Sequence, residues 1–258
     1  MRPLALALAA ALGVTATRAR ADIDRFEIQV YDATADAPGQ PGLELHTNYV
    51  AKGLTQQEGT LLPADKVAHF TLEPSIGVLP FWEMGGYFET ALRPDGTFDY
   101  AGVKLRSKFV TPPTWNEAHP HWRLGVNFEV SLVPTTYDPN RWGSEVRPIV
   151  AWENEQFEFA FNPIVDVAFA GDGWHHGPDF DPALLGIYKL DHVGLGLEYY
   201  AALGYFSGFS PLAQQEHYVY EVVNLLGVEG VEVNAGIGEG LTSASNRVVL
   251  KMILGYEF

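Results

Sequence analysis

The amino-acid sequence predicts an all-β protein, a closed antiparallel transmembrane β-barrel of about twelve strands, and three observations support this. In the last thirteen residues, 246–258, every even position from Val248 to Phe258 is apolar or aromatic. This two-residue period suits a strand that crosses a bilayer with one face toward lipid. Short connections alternate with long ones along the chain, as they do in outer-membrane barrels. After the apolar stretch at residues 4–14, no segment reaches the run of roughly 18 apolar residues that a membrane-spanning helix needs.

The start of the chain has the pattern of an export signal. Arg2 supplies a short positive region, residues 4–14 are apolar, and Ala19-Arg20-Ala21 offers a small-x-small cleavage site. Val14-Thr15-Ala16 is a second candidate, because arginines are unusual so near a cut. We therefore expect a signal peptide at 1–21, an N-terminal periplasmic segment at 22–41 and the transmembrane barrel at 42–258.

Composition excludes two kinds of interaction. The chain carries 32 acidic against 16 basic residues, a net charge of −16, which repels nucleic acid. It contains no cysteine, so it can form neither a disulfide framework nor a lipid-anchored cysteine. We expect no cofactor. The acidic balance weakly favours a lumen that attracts cations.

Alternation of apolar and polar residues from Gly42 onward predicts twelve strands. In the fifth, apolar residues from Trp122 to Leu132 face one way, and polar residues between them face the other. Connections after the second, sixth, eighth and tenth strands are short, and Thr111–Pro120 after the fourth is the long exception. The predicted strands cover residues 42–51, 67–77, 81–91, 98–110, 121–133, 142–153, 156–169, 179–190, 193–204, 215–225, 230–239 and 246–258.

An even number of strands returns both ends of the barrel to the periplasm. Phe258, with Tyr256 two residues before it, resembles the C-terminal assembly signal of bacterial outer-membrane barrels. We expect two interfacial aromatic girdles, with Trp142 at the outer rim. The alternative is a soluble sandwich, which rarely sustains six-residue apolar faces on so many strands. The other girdle residues, expected at the periplasmic rim, are Phe81, Trp82, Trp122, Trp152, Tyr256 and Phe258.

Several motifs spread over most of the mature chain resemble a single family. They include Glu27-Ile-Gln-Val-Tyr-Asp32, Gly42-Leu-Glu-Leu-His46, Phe161-Asn-Pro-Ile164 and Gly236-Ile-Gly-Glu-Gly-Leu-Thr242. Together they resemble the proteobacterial outer-membrane β-barrels related to the MetA-pathway proteins of phenol degradation. The resemblance implies a barrel with a transport role. Because that family has no assigned substrate, the resemblance transfers no functional residue.

The functional groups of a barrel point inward, and the alternation predicts a charged lumen. Basic residues cluster on the fourth and fifth strands, whereas acids dominate the first three and the later ones. A basic strip facing an acidic wall would orient a polar or zwitterionic solute. The alternative, which we favour, is a network of ion pairs that fills a small barrel. The candidate lumen and selectivity residues are Glu44, His46, Glu73, Glu89, Lys104, Arg106, Lys108, Arg123, Glu129, Arg147, Glu158, Asp166, Glu198, Glu221, Glu232, Arg247 and Lys251.

Two other kinds of site receive less support. The loop at 171–179 contains His175 and His176, which are weak candidates for metal ligands because adjacent loop histidines are more often solvated. An outer-membrane hydrolase needs Ser and His side by side at its outer wall or rim. No outward-facing Ser–His pair lies on adjacent predicted strands, so we expect no catalytic residue.

The sequence therefore predicts a monomeric outer-membrane barrel of a Gram-negative bacterium that acts as a narrow, porin-like channel or transporter. Its small solute is not identified by any motif. A structural or surface-binding barrel without an open pore is the first alternative, and an enzyme is the second. The expected partners are outer-membrane lipids, lipopolysaccharide and the barrel-assembly machinery, which Tyr256 and Phe258 would engage.

Overall fold

The computed structural model describes residues 23–258, and the expected signal peptide at 1–21 lies outside them. The regular secondary structure of the described chain is almost entirely β-strand. Among its residues, no helix is long and apolar enough to cross a bilayer. The elements are β1 (Pro41–Lys52), β2 (Ala68–Leu79), β3 (Trp82–Leu92), β4 (Phe98–Val110), α1 (Pro113–Ala118), β5 (Trp122–Leu132), β6 (Trp142–Glu153), β7 (Phe157–Asn162), β8 (Val165–Ala170), β9 (Asp179–Phe180), β10 (Ala183–Lys189), β11 (Val193–Ala202), β12 (Glu216–Leu225), β13 (Val231–Gly240) and β14 (Val248–Glu257), with 3₁₀ turns at Asp172–His175 and Leu212–Gln214.

The strands form one antiparallel sheet that closes on itself. The strands pair in order around the barrel, with β6 paired to both β7 and β8, and β14 returns to pair with β1, from Gly42 opposite Glu257 to Lys52 opposite Val248. Closure leaves no unpaired edge. A β-sheet can span a bilayer only when all its backbone groups are paired in this way. The predicted closed antiparallel barrel is confirmed.

Two of the barrel's twelve strands are interrupted by proline. β7 and β8 pair with β6 in a single register, so they are two halves of one strand. β9 and β10 are likewise halves of the next strand, paired with β8 and β7. The gaps contain Pro163 and Pro182, and proline has no N–H to donate to a ladder. The strands predicted at 156–169 and 179–190 are therefore present but broken.

The outer surface of the barrel is apolar. Large side chains alternate outward along the strands; Leu105 is 74% exposed, Leu197 55% and Phe88 51%. Polar and charged residues at the intervening positions are buried inside. This is the pattern of a barrel whose outer face contacts lipid and whose inner face lines a polar lumen.

The two ends of the barrel differ, as the connection lengths predict. The turn end carries the short connections after β2, β6, β10 and β12, together with the start of β1 and the end of β14. The loop end carries the longer connections, including residues 53–67 and 203–215. The long connection after β4 lies at the turn end, where Pro113 begins helix α1. The expected aromatic residues lie at these rims, with Trp122 opposite Trp152 at the turn end.

Candidate functional site: a charged lumen and the segment inside it

The chain before β1 runs through the barrel. We call residues 23–40 the lumen segment. At the loop end, the ring of Phe26 meets Tyr137 edge-on, with centroids 5.8 Å apart. At the turn end, the N–H of Gly39 donates to the carbonyl of Gly77 at 2.7 Å. The described part of the segment expected at 22–41 thus lies inside the barrel, and its assignment to the periplasmic side stays a prediction.

Side chains of the barrel wall, rather than a paired strand, satisfy the backbone of the lumen segment. Lys251 Nζ donates to the carbonyl of Ile28 at 2.8 Å, and Asn48 Nδ2 donates to that of Arg25 at 3.0 Å. Asn162 exchanges two hydrogen bonds with the backbone of Tyr31. A segment held by side chains can change position without opening the ladder of the barrel.

A close approach at Gly77 joins the segment to the wall near the turn end. Pro38 forms a parallel bridge with Gly77. A Cβ atom built on Gly77 would lie 2.2 Å from the carbonyl oxygen of Ala37. Only glycine leaves room for the segment to lie this close to β2.

One side of the lumen segment is apolar. Ile28 and Val30 belong to a buried cluster that includes Tyr218, Tyr220 and Val222 of β12. These tyrosines therefore point inward, which reverses the faces expected for this strand. One of the candidate lumen residues is affected. The expectation that Glu221 lines the lumen is wrong, because Glu221 is exposed on the outer face, where it pairs with Leu197 and Ile237. His217, four residues earlier, lies on the same outward register.

An acidic cluster surrounds Lys104 in the half of the lumen nearer the loop end. The Nζ atom of Lys104 binds Asp24 and lies 3.7 Å from Glu129 and 3.8 Å from both Glu27 and Glu89. Asp24 and Glu27 belong to the lumen segment, so one wall lysine bridges the segment to two strands. Neither carboxylate oxygen of the fully buried Glu89 receives a hydrogen bond. This cluster holds more carboxylates than its cation can neutralise.

Arg147 provides a second link between wall and segment. Its guanidinium lies 3.1 Å from Glu27 and 2.6 Å from Glu145. It also stacks over the ring of Tyr31, 4.5 Å from the centroid. Such a cation–π contact is stronger when the cation is desolvated. Arg147 therefore contacts the segment through both charge and an aromatic face.

Nearer the turn end, a second cluster joins β1, β2, β3 and β4. Arg106 Nε lies 2.5 Å from Glu73, and its Nη1 lies 2.6 Å from Glu83. Lys108 lies 3.0 Å from Glu83. Glu83 also accepts a 2.6 Å hydrogen bond from the backbone N–H of Asp36 in the lumen segment.

Further ion pairs bind strand to strand. Lys251 lies 2.5 Å from Glu198. At the turn end, Arg123 and Lys189 each lie 2.8 Å from Glu153, and Lys189 lies 3.9 Å from Glu158. The basic residues of β4 and β5 thus pair with nearby carboxylates instead of facing an acidic wall across open space.

A cavity of about 130 Å³ lies beside the lumen segment toward the loop end. Tyr137 lines it and donates a 2.7 Å hydrogen bond to Asp99. Burial, together with that carboxylate, raises the pKa of the Tyr137 hydroxyl, so the tyrosine stays neutral and keeps donating at physiological pH. The acidic residues that line the cavity are Asp24, Glu27, Glu89, Glu129, Asp138, Glu145, Asp166, Asp179 and Asp181.

Other residues singled out from the sequence lie elsewhere. The expectation that Arg247 lines the lumen is wrong. Arg247 is exposed at the loop end, because β14 begins at Val248 and the Arg247 backbone closes the hairpin with Gly240. His175 and His176 are exposed, and His176 stacks on Tyr205. Besides the inward-facing tyrosines of β12, the lumen residues that sequence alternation missed include those of the segment itself, namely Asp24, Glu27, Tyr31 and Asp36.

The end of the chain lies on the outer surface at the turn end. Tyr256 and Phe258 are both exposed, and their rings meet edge-on with centroids 5.0 Å apart. The backbone N–H of Phe258 donates to the carbonyl of Pro41 at the start of β1. Their expected role as an assembly signal stays a prediction.

Comparison with known proteins identifies the fold. No protein-family model and no curated protein matches the chain. Among solved structures, the COG4313 outer membrane channel from Pseudomonas putida F1 is similar with a TM-score of 0.60 and 11% identity, over 90% of this chain and 100% of that one. The KdgM porin (TM-score 0.54, 8% identity, 84% of this chain and 99% of that one) and the NanC porin (0.51, 11%, 84% and 98%) are also similar. The chain thus has the fold of outer-membrane β-barrel channels.

Proposed function

We propose that this protein is an outer-membrane channel for small solutes, and that the lumen segment closes it in the conformation described here. Charged side chains such as Lys104, Arg106 and Arg147 line the inside of a lipid-facing barrel, where a water-filled pathway would otherwise run. The observation that carries the proposal is that wall side chains hold the segment, with few backbone ladder bonds. The channel and porin descriptions of the similar structures support it.

Opening of the channel requires the lumen segment to move. The segment is joined covalently to the barrel only at Pro41, where β1 begins. Its polar contacts are ion pairs and hydrogen bonds to side chains, which water can replace once the segment leaves the lumen. The strand pairing is unaffected by that replacement. The relation to the MetA-pathway family belongs to this proposal as well, supported by the motifs quoted above.

The nature of the solute follows in part from the charge of the lumen. With the segment displaced, the wall near the loop end would present Glu89, Glu129, Glu145, Asp166 and Asp181 against Lys104 and Arg147. This excess of carboxylates would favour cationic or zwitterionic solutes over anions. We therefore expect the open pathway to prefer cations.

The test is conductance in planar bilayers of the folded protein and of a variant that lacks residues 23–36. We expect brief, infrequent openings for the full barrel and a stable, cation-preferring conductance for the shortened one. A variant lacking residues 56–60, in the loop between β1 and β2, is the control for deletion itself and should behave as the parent. Silence of both the parent and the variant lacking residues 23–36 would support the alternative, a structural barrel without a usable pore.

A further inference from the structure

A group of three side chains on the inner wall has the arrangement of a metal-binding site. Glu44 and His46 are two residues apart on β1, so both point inward. Glu73 lies on β2 directly opposite Glu44. One ligand atom from each of the three lies within 4.8 Å of the others. Among the described residues, this is the one group of three or more His, Asp or Glu side chains placed this closely.

Two of the three distances between these atoms are close to those between ligands of a single ion, and the third is at most 4.8 Å. His46 Nε2 lies 3.0 Å from Glu73 Oε2 and 3.3 Å from Glu44 Oε2. Around a tetrahedral Zn²⁺ with bonds of about 2.0–2.1 Å, neighbouring ligand atoms are about 3.3 Å apart. One nitrogen and two carboxylate oxygens, with the fourth position left for water, form a ligand set that zinc commonly takes.

The surroundings of the three ligands support an ion rather than an ion pair alone. His46 and Glu73 are each 1% exposed, which fixes them in place. The other oxygen of Glu73 accepts from Arg106 Nε at 2.5 Å, an outer contact of the kind that orients metal ligands. The sheltered Glu44 Oε2 receives no hydrogen bond of ordinary geometry. A cation in the site would satisfy that oxygen.

The site can be reached from the lumen, and further negative charge lies beside it. The Glu44 side chain is 23% exposed. A Cβ on the inward-facing Gly255 of β14 would lie 3.0 Å from both Glu232 Cβ and Glu44 Cγ. The absence of a side chain at Gly255 thus brings Glu232 next to Glu44. Glu232 is exposed within the lumen and could supply an additional carboxylate.

We propose that Glu44, His46 and Glu73 bind one divalent transition-metal ion of the Zn²⁺ class inside the barrel. The ion would be held by His46 Nε2 and one oxygen from each glutamate. This site does not depend on whether the lumen segment moves. Soft and borderline metals suit an imidazole nitrogen, whereas Ca²⁺ and Mg²⁺ prefer sites built from oxygen alone.

Isothermal titration of Zn²⁺ into the detergent-folded, full barrel tests the proposal. We expect one site with micromolar or tighter affinity, and no comparable binding of Mg²⁺. Glu44→Gln should weaken Zn²⁺ binding by at least about tenfold, and His46→Gln should remove it. The difference in migration of unboiled and boiled samples on a gel shows that each variant is folded.

Two control variants separate this site from others. Glu158→Gln removes a lumen carboxylate outside the cluster, and a His175→Gln/His176→Gln variant removes the adjacent loop histidines. Both should bind Zn²⁺ as the parent does. The proposal is overturned if the parent binds no Zn²⁺, if Glu44→Gln and His46→Gln both bind it unchanged, or if only the loop variant loses it.

Discussion

Asn162 pairs with the backbone of Tyr31 as a neighbouring strand would. The Tyr31 N–H donates to Asn162 Oδ1 at 2.7 Å, and Asn162 Nδ2 donates to the Tyr31 carbonyl at 3.0 Å. Asn162 is fully buried at the end of β7, where the strand is interrupted at Pro163. Asn162 thus binds the middle of the lumen segment to the wall, beside the contacts that Lys251 and Arg147 make to the preceding carbonyls.

Replacing Asn162 by alanine should release the lumen segment more often. The substitution removes two buried hydrogen bonds worth roughly 1 kcal/mol each and leaves the ladder of β7 intact. We expect the open probability in planar bilayers to rise by on the order of tenfold, since 1.4 kcal/mol corresponds to a factor of ten. Asn127→Ala is the matched control, because Asn127 bonds to Glu129 and not to the segment. Equal open probabilities for the two variants would contradict the assigned role.

Replacing Lys104 by methionine should destabilise the whole barrel. The ammonium of Lys104 lies among four carboxylates, and a buried ion pair that loses one partner typically costs about 3–5 kcal/mol. Urea unfolding in lipid vesicles measures the loss. Lys189 is only partly buried at the turn end, so Lys189→Met should lower the free energy of unfolding by less than about 1 kcal/mol. A loss at Lys104 no greater than that at Lys189 would show that the carboxylates do not need this cation.

Glu221 should destabilise the barrel, because its carboxylate lies on the lipid-facing surface. It pairs with Leu197 on one side and Ile237 on the other, both strongly exposed apolar residues. Glu221→Leu is therefore expected to stabilise the barrel in vesicles by on the order of 1 kcal/mol. Glu239→Leu, nearer the loop end, should have a smaller effect since the cost of a charge falls toward the interface. A destabilised Glu221→Leu barrel would indicate that the carboxylate has a partner in the membrane.

Alternation alone predicts the barrel because each strand has one face toward lipid and one toward the lumen. The register of β12 could not be obtained in this way. Its apolar residues fall on both faces, and Tyr220 faces inward, in the same buried cluster as Ile28 of the lumen segment. Tyr220 and Ile28 are nearly 200 positions apart in the chain. The local sequence pattern of β12 therefore cannot show that they share a cluster.

Local sequence patterning does not predict the position of the lumen segment or the grouping of the three proposed metal ligands, for related reasons. Residues 26–31 alternate like a short strand, but their hydrogen-bond partners, among them Asn162 and Lys251, lie on distant strands. Glu44 and His46 were both predicted to face the lumen. Their meeting with Glu73 depends on the register of β1 against β2, which the sequence does not specify.

A reversible lock between the lumen segment and the wall tests the central claim most directly. The chain has no cysteine, so an Ala33→Cys/Gly125→Cys variant contains a single pair of thiols. A Cβ on Gly125 would lie 3.4 Å from that of Ala33, close to the separation found in disulfides, and 2.9 Å from the carbonyl oxygen of Phe109, so the backbone there must shift slightly to admit it. Gly125→Cys alone is therefore measured as a control for this shift. Ala33→Cys alone serves as the control for the substitution in the segment. The measurement is single-channel conductance of the double variant before and after reduction. We predict that the oxidised protein stays closed and that reduction restores the openings of the parent. Equal conductance in the two states, with the disulfide verified by mass spectrometry, would contradict the account.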